Sequence, residues 1–145
     1  MKGGVLAHCR LPPNRVSLAV KHKTIGEIWY FIKGRGQVWR KQGDREEVVD
    51  VGPGTCLTIP TGTHFQFRNT GKDPLCFIIA TMPPWPGEHE AIRGPRSLEG
   101  GMKRVRPRLI SIITADNKGS QEHKGTGDNR YVTGNGVDRL RNFNS

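Results

Sequence analysis

From Val5 to Thr81 the apolar and polar residues alternate in short runs broken by Gly, Pro, Asn and Asp, a pattern that predicts strands and turns rather than helices. Residues 5–11 make a first strand, which Pro12-Pro13-Asn14 ends because proline has no ladder donor. In residues 16–22, Val16, Leu18, Val20 and His22 share one face, while Ser17, Ala19 and Lys21 share the other. Residues 27–33 are β-branched and aromatic: Glu27, Trp29 and Phe31 lie on one face, Ile28, Tyr30 and Ile32 on the opposite one. Both faces therefore expect cover, from a second sheet or from a second copy of the chain. Gly34-Arg35-Gly36 reads as a hairpin turn into residues 37–40, and strands follow at 46–51, 55–59, 64–68 and 75–81. Many short strands at close spacing predict a closed antiparallel sandwich or barrel.

Met82-Pro83-Pro84-Trp85-Pro86-Gly87 is the first strong break. Trp85 within it either packs the segment back over the barrel or lines the barrel mouth against a ligand. After residue 93 the composition shifts, which divides the chain into a β-barrel domain, 1–93, and a basic, Gly- and Asn-rich tail, 94–145, expected to be largely irregular. Its single apolar run is 109–114, and 116–145 is expected to be largely flexible. Gly125-Thr126-Gly127 and Gly134-Asn135-Gly136 are not phosphate loops, because neither follows a strand and opens a helix.

Length and charge narrow the classes further. A chain of 145 residues fits one domain, and an apolar fraction of 34% with 19 glycines suits a turn-rich β core with a poorly hydrophobic extension. Net charge +10 raises a nucleic-acid function. No zinc finger, RNP-like aromatic signature or helix-turn-helix accompanies it, so Lys103, Arg104, Arg106 and Arg108 read as a solvated linker and nucleic acid is not the expected partner. Nowhere do ~20 apolar residues run together, and the start has no apolar stretch of signal-peptide length, so a soluble cytoplasmic protein without membrane association is expected. Cys9, Cys56 and Cys76, odd in number and set in apolar runs, are expected as buried reduced thiols.

The residues that carry chemistry cluster in two stretches. His22-x4-Glu27-x6-Gly34, followed by Gly54-x5-Pro60-x-Gly62 with Asn69 closing, resembles the two motifs of the cupin superfamily, in its small single-domain, type-2-like form. The resemblance covers residues 5–81 and implies an all-β double-stranded β-helix, a jelly-roll barrel, here with an irregular C-terminal tail, and a homodimer. It also implies a divalent transition metal (Mn, Fe, Zn, Ni or Cu) held by a His-x-His pair, a carboxylate and a further histidine. On that pattern His22 matches the second histidine and Glu27 the carboxylate, while Val20 and Phe65 stand where the other two histidines belong. His64, beside Phe65, faces out if Phe65 and Phe67 face in, unless a bulge at Gly62-Thr63 rotates it. His8 is a further candidate ligand.

These residues lead to one principal expectation: a barrel that binds a small organic molecule in an apolar-walled pocket of Val20, Trp29, Phe31, Phe65, Phe67 and Trp85. His22 and Glu27 are its polar anchors or acid–base pair, and the cofactor is none or a weakly bound metal ion. The alternative is a metal-dependent isomerase, lyase or dioxygenase acting on a sugar or small polar metabolite through His22, Glu27 and either His64 or His8. A third reading is a dimeric interaction module whose basic tail binds a polyanion.

Overall fold

A computed structural model describes residues 4–95 and 97–98, together with the strand backbone at 103–104, 108–114, 130–133 and 136–139. The strands, in chain order, are β1 (Val5–Leu11), β2 (Arg15–Val16), β3 (Val20–His22), β4 (Gly26–Lys33), β5 (Gly36–Gln42), β6 (Arg45–Val51), β7 (Cys56–Ile59), β8 (His64–Asn69) and β9 (Leu75–Met82). After one 3-10 turn at Glu88–Glu90 come β10 (Ala91–Arg93), β11 (Lys103–Arg104), β12 (Arg108–Thr114), β13 (Arg130–Thr133) and β14 (Gly136–Arg139).

They assemble the expected all-β jelly roll. One sheet has the order β12-β1-β9-β4-β7; the facing sheet contains β10-β3-β8-β2-β11, with β5 bonded to β8 and β6 bonded to β5. The interior faces of the two sheets meet in a single apolar core that includes Cys9, Leu11, Trp29, Phe31, Val38, Phe65, Phe67, Leu75 and Phe77. Alternation along β4 works as expected on its inner side, where Glu27, Trp29 and Phe31 are all buried. Its outer side is left bare: Ile28, Tyr30 and Ile32 are 39%, 49% and 44% exposed, and Leu6 stands on the same outer face. This is the face from which a homodimer is expected.

Two local expectations are corrected. Gly34-Arg35-Gly36 is not a hairpin: β4 bonds to β7 and β9, whereas β5 bonds to β6 and β8, so the chain crosses here from one sheet to the other. Gly34 adopts φ +85°, and a side chain on it would run into the backbone of Pro74 and Leu75. A crossing this tight needs glycine. Second, residues 16–22 are not one strand: the Ser17 amide still donates to Phe67 O at 2.8 Å and its hydroxyl accepts the Phe67 amide at 3.0 Å, but between there and the Val20–Phe65 pair Leu18 and Ala19 stand against Gln66 alone, one residue too many for a regular ladder. The interruption turns Val16 to the outside, where it packs with Trp39 and Leu98, while Val20 and His22 stay inside. Gln66 takes the outer face of β8, as the parity of Phe65 and Phe67 requires. It is fully covered there, donating to Ser17 O at 3.0 Å and accepting the amides of Ser97 and Leu98 at 3.1 and 2.8 Å. A residue on an outer face is thus buried by contacts from beyond β10, at Ser97 and Leu98.

Asn69 also has a bonded structural role, donating to Leu11 O and Asp73 O and accepting the Gly71 amide. Of the tail, residues 108–114 extend the first sheet beside β1, and β13 pairs with β14. The rest of the range expected to be flexible lies outside the described residues. Among those described, no helix is long and apolar enough to cross a membrane. All three cysteines are free; Cys9 and Cys76 are buried as expected, but Cys56 is exposed. Parity explains the exception, since Leu57 and Ile59 take the inner face of β7.

Candidate functional site

Two strands and one turn place the polar pair inside the barrel. His22 ends β3 and Glu27 is the second residue of β4, and the backbone between them is clamped by Glu90, whose carboxylate accepts the amides of Thr24 and Ile25 at 2.7 and 2.9 Å and the Thr24 hydroxyl at 2.9 Å. Both side chains then point inward: His22 is 5% exposed and Glu27 7%. His22 Nε2 lies 3.3 Å from Glu27 Oε1, and Trp29 Nε1 donates to Glu27 Oε2 at 2.7 Å. Trp29 can reach because residues two apart on a strand share a face. Each carboxylate oxygen therefore already has a protein partner.

Around this pair the walls are aromatic. The His22 ring sits 5.2 Å from Phe65 and 5.1 Å from Trp85, the latter edge-on at 87°. Trp85 packs against the core, which carries the proline-rich segment back over the barrel end. The other expected pocket residues are also brought together, but onto one another: Trp29, Phe31, Phe65 and Phe67 meet through ring contacts between 4.6 and 6.3 Å in which Phe77 is a central partner. Val20 packs on the same cluster. These rings fill space rather than leave it.

The metal ligands implied by the motif do not assemble. Val20 and Phe65, at the positions that would carry histidines, are direct partners across the β3–β8 ladder. Two apolar side chains thus stand side by side where two imidazoles would converge. Among the described residues no three of His, Cys, Asp and Glu group together in a way that would hold a metal ion. A donor set of one imidazole and one carboxylate, the latter already bonded twice, does not fit a first-row metal ion. His64 does not complete it: β8 keeps its parity, with Phe65 and Phe67 inside, and the His64 ring abuts Gly94. Burial, then the charges of Lys21 and Lys41, hold the His64 imidazole below its ordinary value, so it favours the neutral form. His8 is likewise on the outer side of its strand, between the buried Ala7 and Cys9. Burial, followed by the nearby Glu27 charge, pushes the Cys9 thiol up, so it stays protonated and is no thiolate donor.

Sequence reasoning missed a second group of residues. A cavity of about 190 Å³ opens between the β5–β6 hairpin and the end of β7, lined by Arg40, Gln42, Arg45, Glu47, Thr58 and Thr63 among others. Arg40 stands opposite Phe65 on β8 and opposite Glu47 on β6. Its guanidinium donates to Thr58 O and to Glu47 Oε1, which fixes it across the gap between the sheet edges. Continuing the β3–β8–β5 register by one residue sets Thr63, which lines the cavity, in line with His22 and Gln42. The signal was present: Val38 faces the core, so Arg40 and Gln42, two and four residues on, take the same side.

Glu90 yields a pH prediction. Burial opposes its ionisation, but the amides of Thr24 and Ile25, the Thr24 hydroxyl and the His22 charge together hold the carboxyl below its ordinary value. A carboxyl depressed in the fold contributes stability above its unfolded value, about 4.5, and that contribution disappears as pH falls through the lower folded value. Urea midpoints of Glu90→Gln should therefore lie below the unsubstituted chain's at pH 7, with the gap narrowing below pH 4.5. A gap that stays constant down that range would show that the Glu90 charge holds nothing.

A family model described as "Cupin domain" matches residues 7–81. An uncharacterised protein of Methanocaldococcus jannaschii is 31% identical over 87 residues, which is 60% of this chain and 66% of that protein, just under two thirds of its length. Among solved structures, the Lactobacillus farciminis oxalate decarboxylase in its formate complex superposes with a TM-score of 0.58 at 19% identity, over 63% of this chain and 27% of that one. The capsular polysaccharide assembling protein CapF of Staphylococcus aureus superposes with a TM-score of 0.52 at 15% identity, over 61% of this chain and 27% of its own. At such identities the likeness is one of fold.

Proposed function

We propose, from the premise that this chain belongs to the cupin family, that it is a small-molecule-binding barrel in which packed apolar side chains replace the metal seat. Its ligand occupies the polar mouth beside Arg40 rather than the aromatic interior. The observation that carries this reading is the direct pairing of Val20 with Phe65. Losing one ligand position would leave a three-donor site open to a metal; filling both with neighbouring apolar groups makes the seat part of the core. His22 and Glu27 then act as the buried polar end of the site, held by Trp29 and capped by Trp85. An enzyme that worked through a metal on His22, Glu27 and His64 is less well supported, since His64 and His8 both take outer faces.

Calorimetric titration with Zn²⁺ and Mn²⁺ tests it. The unsubstituted chain should show no saturable uptake, whereas Val20→His with Phe65→His, which restores the missing donors next to His22 and Glu27, should bind close to one ion per chain. Saturation of the unsubstituted chain at one ion would remove the proposal.

A further inference from the structure

We infer that the mouth cavity is a binding site for a short hydroxycarboxylate; this rests on the reading of the mouth as the ligand site and adds its chemistry. The cavity's charge comes first. Arg40 and Arg45 line it with a single carboxylate, Glu47, so two positive groups face one negative group and the balance is +1. Among the described residues no carboxylate pairs with Arg45, whose fork of donors remains open at the rim. Arg40 is different: its two terminal nitrogens are bound to Thr58 O and Glu47, yet its Nε is buried with no hydrogen-bond partner.

Thr63 supplies the second observation. It is 3% exposed, lines the cavity, and its Oγ1 also has no partner. Buried polar atoms are normally bonded, so two orphans on one cavity mark the place where a ligand supplies the missing partners. A carboxylate satisfies Arg45 and Arg40 Nε. An adjacent hydroxyl, being donor and acceptor together, suits both Thr63 Oγ1 and the second oxygen of Glu47. A cavity of about 190 Å³ suits a ligand of a few carbons.

Glycerate, glycerol and inorganic phosphate separate the possibilities in a titration followed by calorimetry and thermal shift. Glycerate should bind and raise the melting temperature, with glycerol and phosphate each weaker by about tenfold or more. Arg45→Gln and Thr63→Val should each weaken glycerate by about tenfold, as expected for loss of one hydrogen bond to a charged or buried partner. Thr63→Val should leave the unliganded melting temperature unchanged or higher, because it removes an unpartnered buried hydroxyl. Equal binding of glycerol and glycerate would overturn the acid class while leaving a small-molecule mouth in place. Equal binding of phosphate would reduce the site to a charge patch and overturn the hydroxyl assignment. No binding of any of the three up to about 10 mM would overturn both this inference and the mouth reading on which it rests.

Discussion

Replacing Glu27 with alanine is expected to lower the unfolding free energy by about 3–5 kcal/mol, the usual consequence of removing one partner from a buried polar pair. Two side chains are stranded together: His22 Nε2 loses the oxygen 3.3 Å away and Trp29 Nε1 loses its acceptor at 2.7 Å. Neither can reach water, since His22 is 5% and Trp29 1% exposed. Glu27→Gln is the control. Its amide oxygen keeps an acceptor for the indole and its NH2 presents a donor toward the imidazole, whose Nε2 can accept, so the cost should fall below about 1.5 kcal/mol. Chemical denaturation of the three forms measures the contrast. Equal, small losses in both variants would mean that the pair is solvated and that the interior around it is not closed to water.

Phe77→Ala is expected to cost a similar 3–5 kcal/mol, and Phe77→Leu about 1–2 kcal/mol. Phe77 is fully buried and its ring lies 4.9, 4.6 and 5.1 Å from the centres of Trp29, Phe31 and Phe67. Truncating it opens a void whose walls cannot close, because those rings are themselves held from both sheets, so the cavity cost adds to the lost transfer energy. The size of the effect separates a packed interior from an open pocket. Were Trp29, Phe31, Phe65 and Phe67 the walls of a ligand-sized space, trimming a neighbour would enlarge an existing hollow and cost much less. Urea or guanidinium midpoints at constant slope give the answer.

How much of this could be read from the sequence depends on the kind of information each position carries. The period-2 alternation of Glu27, Trp29 and Phe31 fixes which side chains share a face, and that part of the interior was legible. Alternation does not say which sheet a strand joins. The crossing at Gly34 therefore looked like a hairpin, since glycine serves both. Val16 was misplaced because one extra residue at Leu18-Ala19, between the Val16–Arg68 and Val20–Phe65 pairs, flips the phase; nothing in a pattern of apolar positions marks such a slip. Gln66 was out of reach for a different reason: its burial depends on Ser97 and Leu98, some thirty positions away in the chain. The loss of metal donors at Val20 and Phe65 was visible in the motif, but that the two are cross-strand neighbours came only from the register. Arg40 and Thr63 could have been placed by extending the alternation of β5 and β8, yet what makes them a site is the gap between the edges of two sheets.

The central claim is that a cupin barrel has kept its fold while its metal seat has become core. Elemental analysis of the chain purified without chelator tests it most directly. The account predicts transition metal far below one ion per chain, with none retained after buffer exchange; close to one tightly held ion per chain would contradict it.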